Sequence, residues 1–113
     1  MNANAEKSEK PDNKDEVIVE QADLEQLAKA GQKPPKAKTY RIRVDDRFFV
    51  VSKSTMTGRE ILVLAGKNPP ESFILTQKSK GGALRTIELD ETVDFMTPGI
   101  ERFNTLPRQV QEG

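Results

Sequence analysis

Thr57-Gly58-Arg59-Glu60-Ile61-Leu62-Val63-Leu64-Ala65-Gly66 carries a complete helix signature. Thr57 offers a side-chain oxygen to the unpaired amides of a first turn. Glu60 stands where a capping box places a carboxylate, and Gly66 can take the left-handed conformation that stops a helix. At about 100° per residue, Gly58, Ile61, Leu62, Leu64 and Ala65 gather on one side, while Arg59, Glu60 and Val63 point away. Isolated helices below ~12–15 residues are marginal in water, so this one needs a sheet to cover its apolar side.

The flanking residues supply strands. Thr39 to Ser52 reads as a hairpin: Tyr40, Ile42 and Val44 alternate with Arg41 and Arg43, Asp45-Asp46 offers a turn, and Phe48-Phe49-Val50-Val51 returns apolar. The register that puts Tyr40, Ile42 and Val44 against the helix puts Phe49 and Val51 inside as well, and leaves Phe48 and Val50 outside with the two arginines. After the helix, Asn68-Pro69-Pro70 forbids continuation. Ser72 to Gln77 then reads as a third strand, Lys78 to Gly82 as a basic turn, and Leu84 to Leu89 as a fourth strand around Ile87. Asp90 to Val93 reads as a turn, and Ile100 to Leu106 as a last strand that Pro107 ends.

The order is strand, strand, helix, strand, strand, strand, with the helix as a crossover that brings a later strand beside the first. That order predicts an α+β chain of β-grasp type, a mixed sheet of about five strands packed on one short helix. One face of the sheet covers the helix, and the other stays open for a partner.

Upstream, residues 1–16 have no apolar residue beyond Met1 and two alanines and cannot bury enough surface to fold. Ala22 to Gly31 places Leu24, Leu27 and Ala28 on one helical face. A short helix over 22–30 reads first as a fraying turn in a linker, with a docking segment as the alternative. The run Gln32-Lys33-Pro34-Pro35-Lys36-Ala37 favours extended backbone. The expected organisation is an acidic disordered tail and linker over 1–37, a folded domain over 38–107, and a flexible tail over 108–113.

Composition narrows the function. The 113 residues hold 18 basic and 18 acidic side chains, no cysteine and no histidine. Disulfides, thiol nucleophiles, the commonest metal ligands and the commonest general base are therefore missing, which argues against an enzyme and against a metal site. Lys36, Lys38, Arg41 and Arg43 form a basic run beside Tyr40, but four such charges give only weak, salt-sensitive attraction, so no nucleic-acid partner is expected. With no apolar signal core and no stretch near the ~20 apolar residues of a membrane span, no membrane association and a cytoplasmic location are expected. Gly81-Gly82 lacks the spacing of a phosphate-binding loop, and Asp90, Glu91 and Asp94 lack that of a calcium loop; both stretches read as turns. Outward Phe48, with Val50 and Leu106 near it and Arg41 or Arg43 to orient an acidic partner, is the candidate contact surface.

Four runs resemble the bacterial ubiquitin-like proteins described as multiubiquitin-domain proteins: Tyr-Arg-Ile-Arg-Val-Asp at 40–45, Met-Thr-Gly-Arg-Glu-Ile-Leu at 56–62, Leu-Ala-Gly-Lys-Asn-Pro-Pro at 64–70 and Pro-Gly-Ile-Glu-Arg-Phe-Asn-Thr-Leu-Pro at 98–107. The resemblance runs from about residue 20 to the end. It implies a protein modifier whose Gly113 carboxylate is activated by an ATP-dependent activating enzyme, passed to a conjugating enzyme and joined to a target protein, through an isopeptide bond or through an ester or thioester. A metalloprotease resembling deubiquitinases would reverse the bond. ATP is then used by the activating enzyme, with no cofactor bound to the chain itself. The resemblance gives Arg108, Gln111 and Glu112 as tail-recognition residues; Glu112 stands where eukaryotic ubiquitin has a second glycine. Two alternatives share the architecture, a sulfur-carrier protein and a non-covalent interaction module.

Overall fold

The structure is a computed structural model, and it describes residues 17–109. Its described elements are β1 (Val19–Asp23), α1 (Leu24–Lys29), β2 (Ala37–Val44), β3 (Arg47–Val51), β4 (Thr55–Thr57), α2 (Gly58–Leu64), a 3₁₀ turn (Pro70–Ser72), β5 (Phe73–Ser79), β6 (Leu84–Ile87), β7 (Thr92–Asp94) and β8 (Ile100–Pro107). The chain is α+β, with a mixed sheet and short helices compatible with a ubiquitin-like grasp.

The pivotal helix forms as its sequence dictates. Thr57 Oγ1 accepts the Glu60 amide and the Glu60 carboxylate accepts the Thr57 amide, a complete capping box. At the other end the Lys67 amide reaches the Leu62 carbonyl and the Gly66 amide reaches that of Val63, while Gly66 takes φ +78°. This is the paired bonding that a left-handed residue after a helix allows. Ile61 and Leu62 are fully buried and Val63 is exposed, as the phase predicts, but Leu64 is only partly buried. Leu64 is the last helical residue, so its side chain lies at the rim of the core rather than inside it.

β2 is the centre of the large sheet. Tyr40 and Arg41 pair with Val51 and Val50 of β3 and also with Ala22 and Asp23 of β1, while Val44 pairs with Arg47 of β3 and with Phe103 of β8. A residue has one neighbour on each side, so β3 holds one edge of β2, and β1 and then β8 share the other. Both β1 and β8 run parallel to β2. β5 pairs antiparallel with β8, and β6 with β5. β4 and β7 form a separate two-stranded sheet that buries Met56 and Val93. The core joins Tyr40, Phe95 and Phe103, whose rings lie 6.1 and 6.5 Å apart in sequence, to Ile42, Ile61, Leu62 and Leu75.

The expected linker is where structure and sequence reading part. Residues 19–29 are a paired strand and a docked helix: Ala22, Leu24 and Ala28 are buried, and α1 packs against β2 and β8. The apolar content there is low, but it is concentrated on one side and fills the split where β2 and β8 diverge. Asp23 caps α1 by accepting the Gln26 amide at 3.3 Å. Residues 1–16, expected to be disordered, lie outside the described residues. The turn expected over 90–93 is in part β7, and with β1 and β4 the described strands exceed the five expected.

Candidate interaction surface and tail

Alternation along each strand decides which side chains reach the outer face of the sheet. Tyr40, Ile42 and Val44 point inward and are buried, so Arg41 and Arg43 point out, as do Phe48 and Val50 across the hairpin. Leu75 and Phe103 point inward, which turns Ile74 outward on β5 and Arg102 and Leu106 outward on β8.

The five residues expected to form one surface fall into two groups. Arg43 pairs with Phe48 and Arg41 with Val50, and the Arg41 guanidinium lies 3.7 Å from the Phe48 ring centroid, with that of Arg43 at 5.6 Å. The guanidinium over the ring face is a cation–π arrangement, and Phe48 keeps 42% of its surface exposed beneath it. Leu106 stands elsewhere. It lies three residues beyond Phe103, whose partner Val44 ends β2, so it is past the hairpin turn; its cross-strand partner is Ile74. Leu106 and Ile74 line a surface groove with Pro107, Arg108 and Gln109.

Arg41 and Arg43 are not free to orient an acidic partner. The Asp23 carboxylate meets Arg41 at 2.7 Å and that of Glu25 meets Arg43 at 3.1 Å. Glu25 is itself buried and takes Lys29 as a second cation at 3.5 Å. These acids belong to β1 and α1, so the docked segment neutralises the arginines of the face it borders. The pairing joins residues 18 apart in sequence, and the only hint of it in the sequence is that Asp23 and Glu25 flank the buried Leu24. Arg102 differs: its buried Nε has no hydrogen-bond partner among the described residues.

The root of the tail is fixed. β8 pairs with β5 as far as Pro107 opposite Phe73, after which the Arg108 amide donates to the Ser72 carbonyl at 2.7 Å and its Nε to the Glu71 carbonyl at 3.3 Å. Arg108, expected in a flexible tail, is therefore tied to the 3₁₀ turn. That turn is held to α2 by Arg59, which pairs with Glu71 and Asp90. A hydrogen bond from its own backbone amide and the guanidinium of Arg59 hold the Glu71 carboxyl below the ordinary carboxylate value, and the Glu71 hydrogen bond raises Arg59. Gln111, Glu112 and Gly113 lie outside the described residues.

The four quoted runs fall on β2, on the end of β4 and α2, on the turn after α2, and on β8. A family model described as Multiubiquitin matches residues 40–108. The chain belongs to the Multiubiquitin family. It is a ubiquitin-like module, and within it the match runs from β2 to the tail root at Arg108, leaving β1 and α1 upstream. Comparison of this Multiubiquitin chain with curated proteins and with solved structures gave no match. Among the described residues no helix is long and apolar enough to cross a membrane.

Proposed function

We propose that this ubiquitin-like module is a protein modifier of β-grasp type, and that Gly113 carries the reactive carboxylate. A carboxylate is a poor electrophile. An activating enzyme joins it to the α-phosphorus of ATP, releasing pyrophosphate and leaving an acyl adenylate. A thiolate of that enzyme attacks the carbonyl carbon and expels AMP, which conserves the activation as a thioester. Transfer to a conjugating enzyme exchanges one thiol for another. Attack by a target amine then forms the amide and releases the thiol. The module is substrate in every step and contributes no catalytic group.

The observation that carries this reading is the family match ending at residue 108, together with the anchoring of Arg108 to Ser72. Arg108 is thus held at a defined point of the body, beside the groove of Ile74 and Leu106. A glycine enters a narrow channel without a β-carbon, and five residues from 109 to 113 reach at most ~3.3–3.6 Å each toward an enzyme centre. Glu112 and Gln111 supply contacts along that channel. The activating and conjugating enzymes dock on the outer face, with Leu106 and Ile74 as the apolar contact and Arg102, whose Nε has no hydrogen-bond partner among the described residues, as the cation beside them. A deubiquitinase-like metalloprotease cuts the finished bond, and the reactions are cytoplasmic.

The test is intact-mass spectrometry of the protein incubated with its activating and conjugating enzymes and ATP. A covalent protein adduct through the carboxyl terminus is expected, and removal of Gly113 abolishes it without moving the unfolding midpoint. Replacement of a terminal oxygen by sulfur identifies a sulfur carrier instead. No mass change, with complex formation retained, identifies a non-covalent module.

A further inference from the structure

The outer edge of β3 is an exposed strand edge rich in apolar residues. Val44 and Arg47 flank the two-residue turn Asp45-Asp46 and face each other. In a hairpin of this length that pair is hydrogen-bonded, and alternation makes Ile42 with Phe49 and Tyr40 with Val51 the next such pairs. The amides and carbonyls of Phe48 and Val50 therefore point away from β2. Among the described residues no second strand pairs with β3. Phe48 and Val50 keep 42% and 55% of their surface, and Phe49 and Val51 are only partly buried on the other side. Arg47 lies 5.1 Å from the Phe49 ring, with no carboxylate partner among the described residues. Such an edge is a template for an extended segment that brings its own backbone groups, apolar side chains and negative charge.

The chain carries a segment of that composition. Val17 and Ile18 are 74% and 48% exposed where the description begins, and they run directly into β1. The Val19 amide is already bonded to the Lys36 carbonyl at 3.0 Å, so the extended direction is set. The sequence around them is acidic, with Asp15 and Glu16 before and Glu20 after, the last paired with Lys38 of its own chain at 3.1 Å. β1 and β3 lie on opposite edges of β2, about 10 Å apart across two strand spacings, so the two features cannot pair within one molecule.

We propose that the free edge of β3 receives Val17 and Ile18 of a second copy of this chain, which add to it as a short strand. Alternation sends one of the two side chains toward Phe48 and Val50 and the other toward Phe49 and Val51. The acidic composition of the sequence around Val17 and Ile18 is complementary to the charge of Arg47. The contact is head to tail, with different surfaces on the two copies, so each bound copy still offers an edge to a third.

Sedimentation velocity over a rising concentration series of the full chain tests this. The wild type is expected to associate beyond a dimer as concentration rises. Val50→Pro removes an amide that points away from β2, so no bond to β2 is lost, and Val17→Lys with Ile18→Lys removes the incoming apolar pair. Each variant alone should weaken self-association by about tenfold or more. Mixed in equal amounts, the two should form a one-to-one pair and stop there, because each keeps the half the other lacks. Phe48→Glu serves as the edge variant if Val50→Pro lowers the unfolding midpoint. A wild type that stays monomeric, variants that associate as the wild type does, or a mixture that does not pair would each overturn the proposal. None of these readouts needs an enzyme or Gly113, so they are independent of the modifier reading.

Discussion

The carboxylate of Asp45 accepts both the backbone amide and the hydroxyl of Thr105, at 2.8 and 2.6 Å, across 60 positions of sequence. Asp45 is also the one non-glycine described residue with positive φ, at 55°. Its own amide donates to the Phe103 carbonyl at 2.8 Å. The hairpin turn and the last strand are thus bound together by one residue in a conformation that Asp and Asn tolerate better than most.

Asp45→Ala should therefore cost about 1.5–3 kcal/mol, from the lost charged acceptor and the left-handed backbone it leaves unsupported. Asp45→Asn keeps the backbone preference and one acceptor, so it should cost distinctly less. Urea unfolding of the two variants checks the order; equal losses would mean that the Thr105 contact contributes little.

Gly58→Ala offers a reversal of sign. An alanine in a helix ordinarily gains up to about 1 kcal/mol over glycine. Here a β-carbon would lie 2.4 Å from the Glu88 carbonyl oxygen and 3.1 Å from Ile87 Cγ2. The turn over 88–91 cannot easily move aside, because Gly58 and Arg59 donate to the Glu91 and Leu89 carbonyls at 3.0 and 2.9 Å. A loss of about 1–3 kcal/mol is expected. A higher melting temperature for the variant would show that this turn yields.

The helix phase is tested by a pair of truncations. Ile61→Ala empties a fully buried site and should cost about 2–5 kcal/mol. Val63→Ala, on the exposed side, should stay within about 0.5 kcal/mol. Similar shifts of the urea midpoint for the two would contradict the packing.

Acid should weaken the fold through three carboxylates held below their ordinary value. Glu60 is lowered first by the Thr57 amide and then by Lys53, Glu91 first by the Glu88 amide and then by Arg85, and Glu71 by its own amide and then by Arg59. A lowered carboxylate contributes stability that is present above the unfolded-state value and is lost as pH falls through the folded one. The loss should begin near the ordinary carboxylate value of 4.5 and deepen below it. Glu60 and Glu71 are exposed and Glu91 is half-buried beside solvent-facing Arg85, so each share is small. Glu60→Gln should flatten the decline in melting temperature between neutral and acid pH; an unchanged slope would remove the helix cap from the account.

Much of the fold was legible because its signals are local. The capping box, the glycine stop and the alternation of Tyr40, Ile42 and Val44 all lie within a few residues of each other, and all three were found where expected. What escaped depends on distant partners. β4 and β7 have three residues each, too few for any period to emerge, and they exist because they pair with each other. β1 has one buried residue, Ala22, and becomes a strand because β2 offers it an edge. The outward phase of Arg41, Arg43, Phe48 and Val50 followed from alternation. That Asp23 and Glu25 meet the two arginines did not, since charge pairing across 18 positions leaves no periodic trace. Leu106 was given the right face but the wrong neighbours, because the level at which β8 crosses β2 is set by Asp45 and Thr105.

The strand and helix packed into the split between β2 and β8 separate two notions of a module. The unit shared with the family begins at Tyr40, but a fragment cut there would discard Ala22, Leu24 and Ala28, all buried, and would take Asp23 from Arg41 and Glu25 from Arg43. The shorter piece would also open the edge of β2 that β1 occupies, adding a second sticky border to the one at β3. A boundary drawn from the family match therefore falls inside the packed unit, and in this chain residues 19–29 have structural work that the match does not disclose.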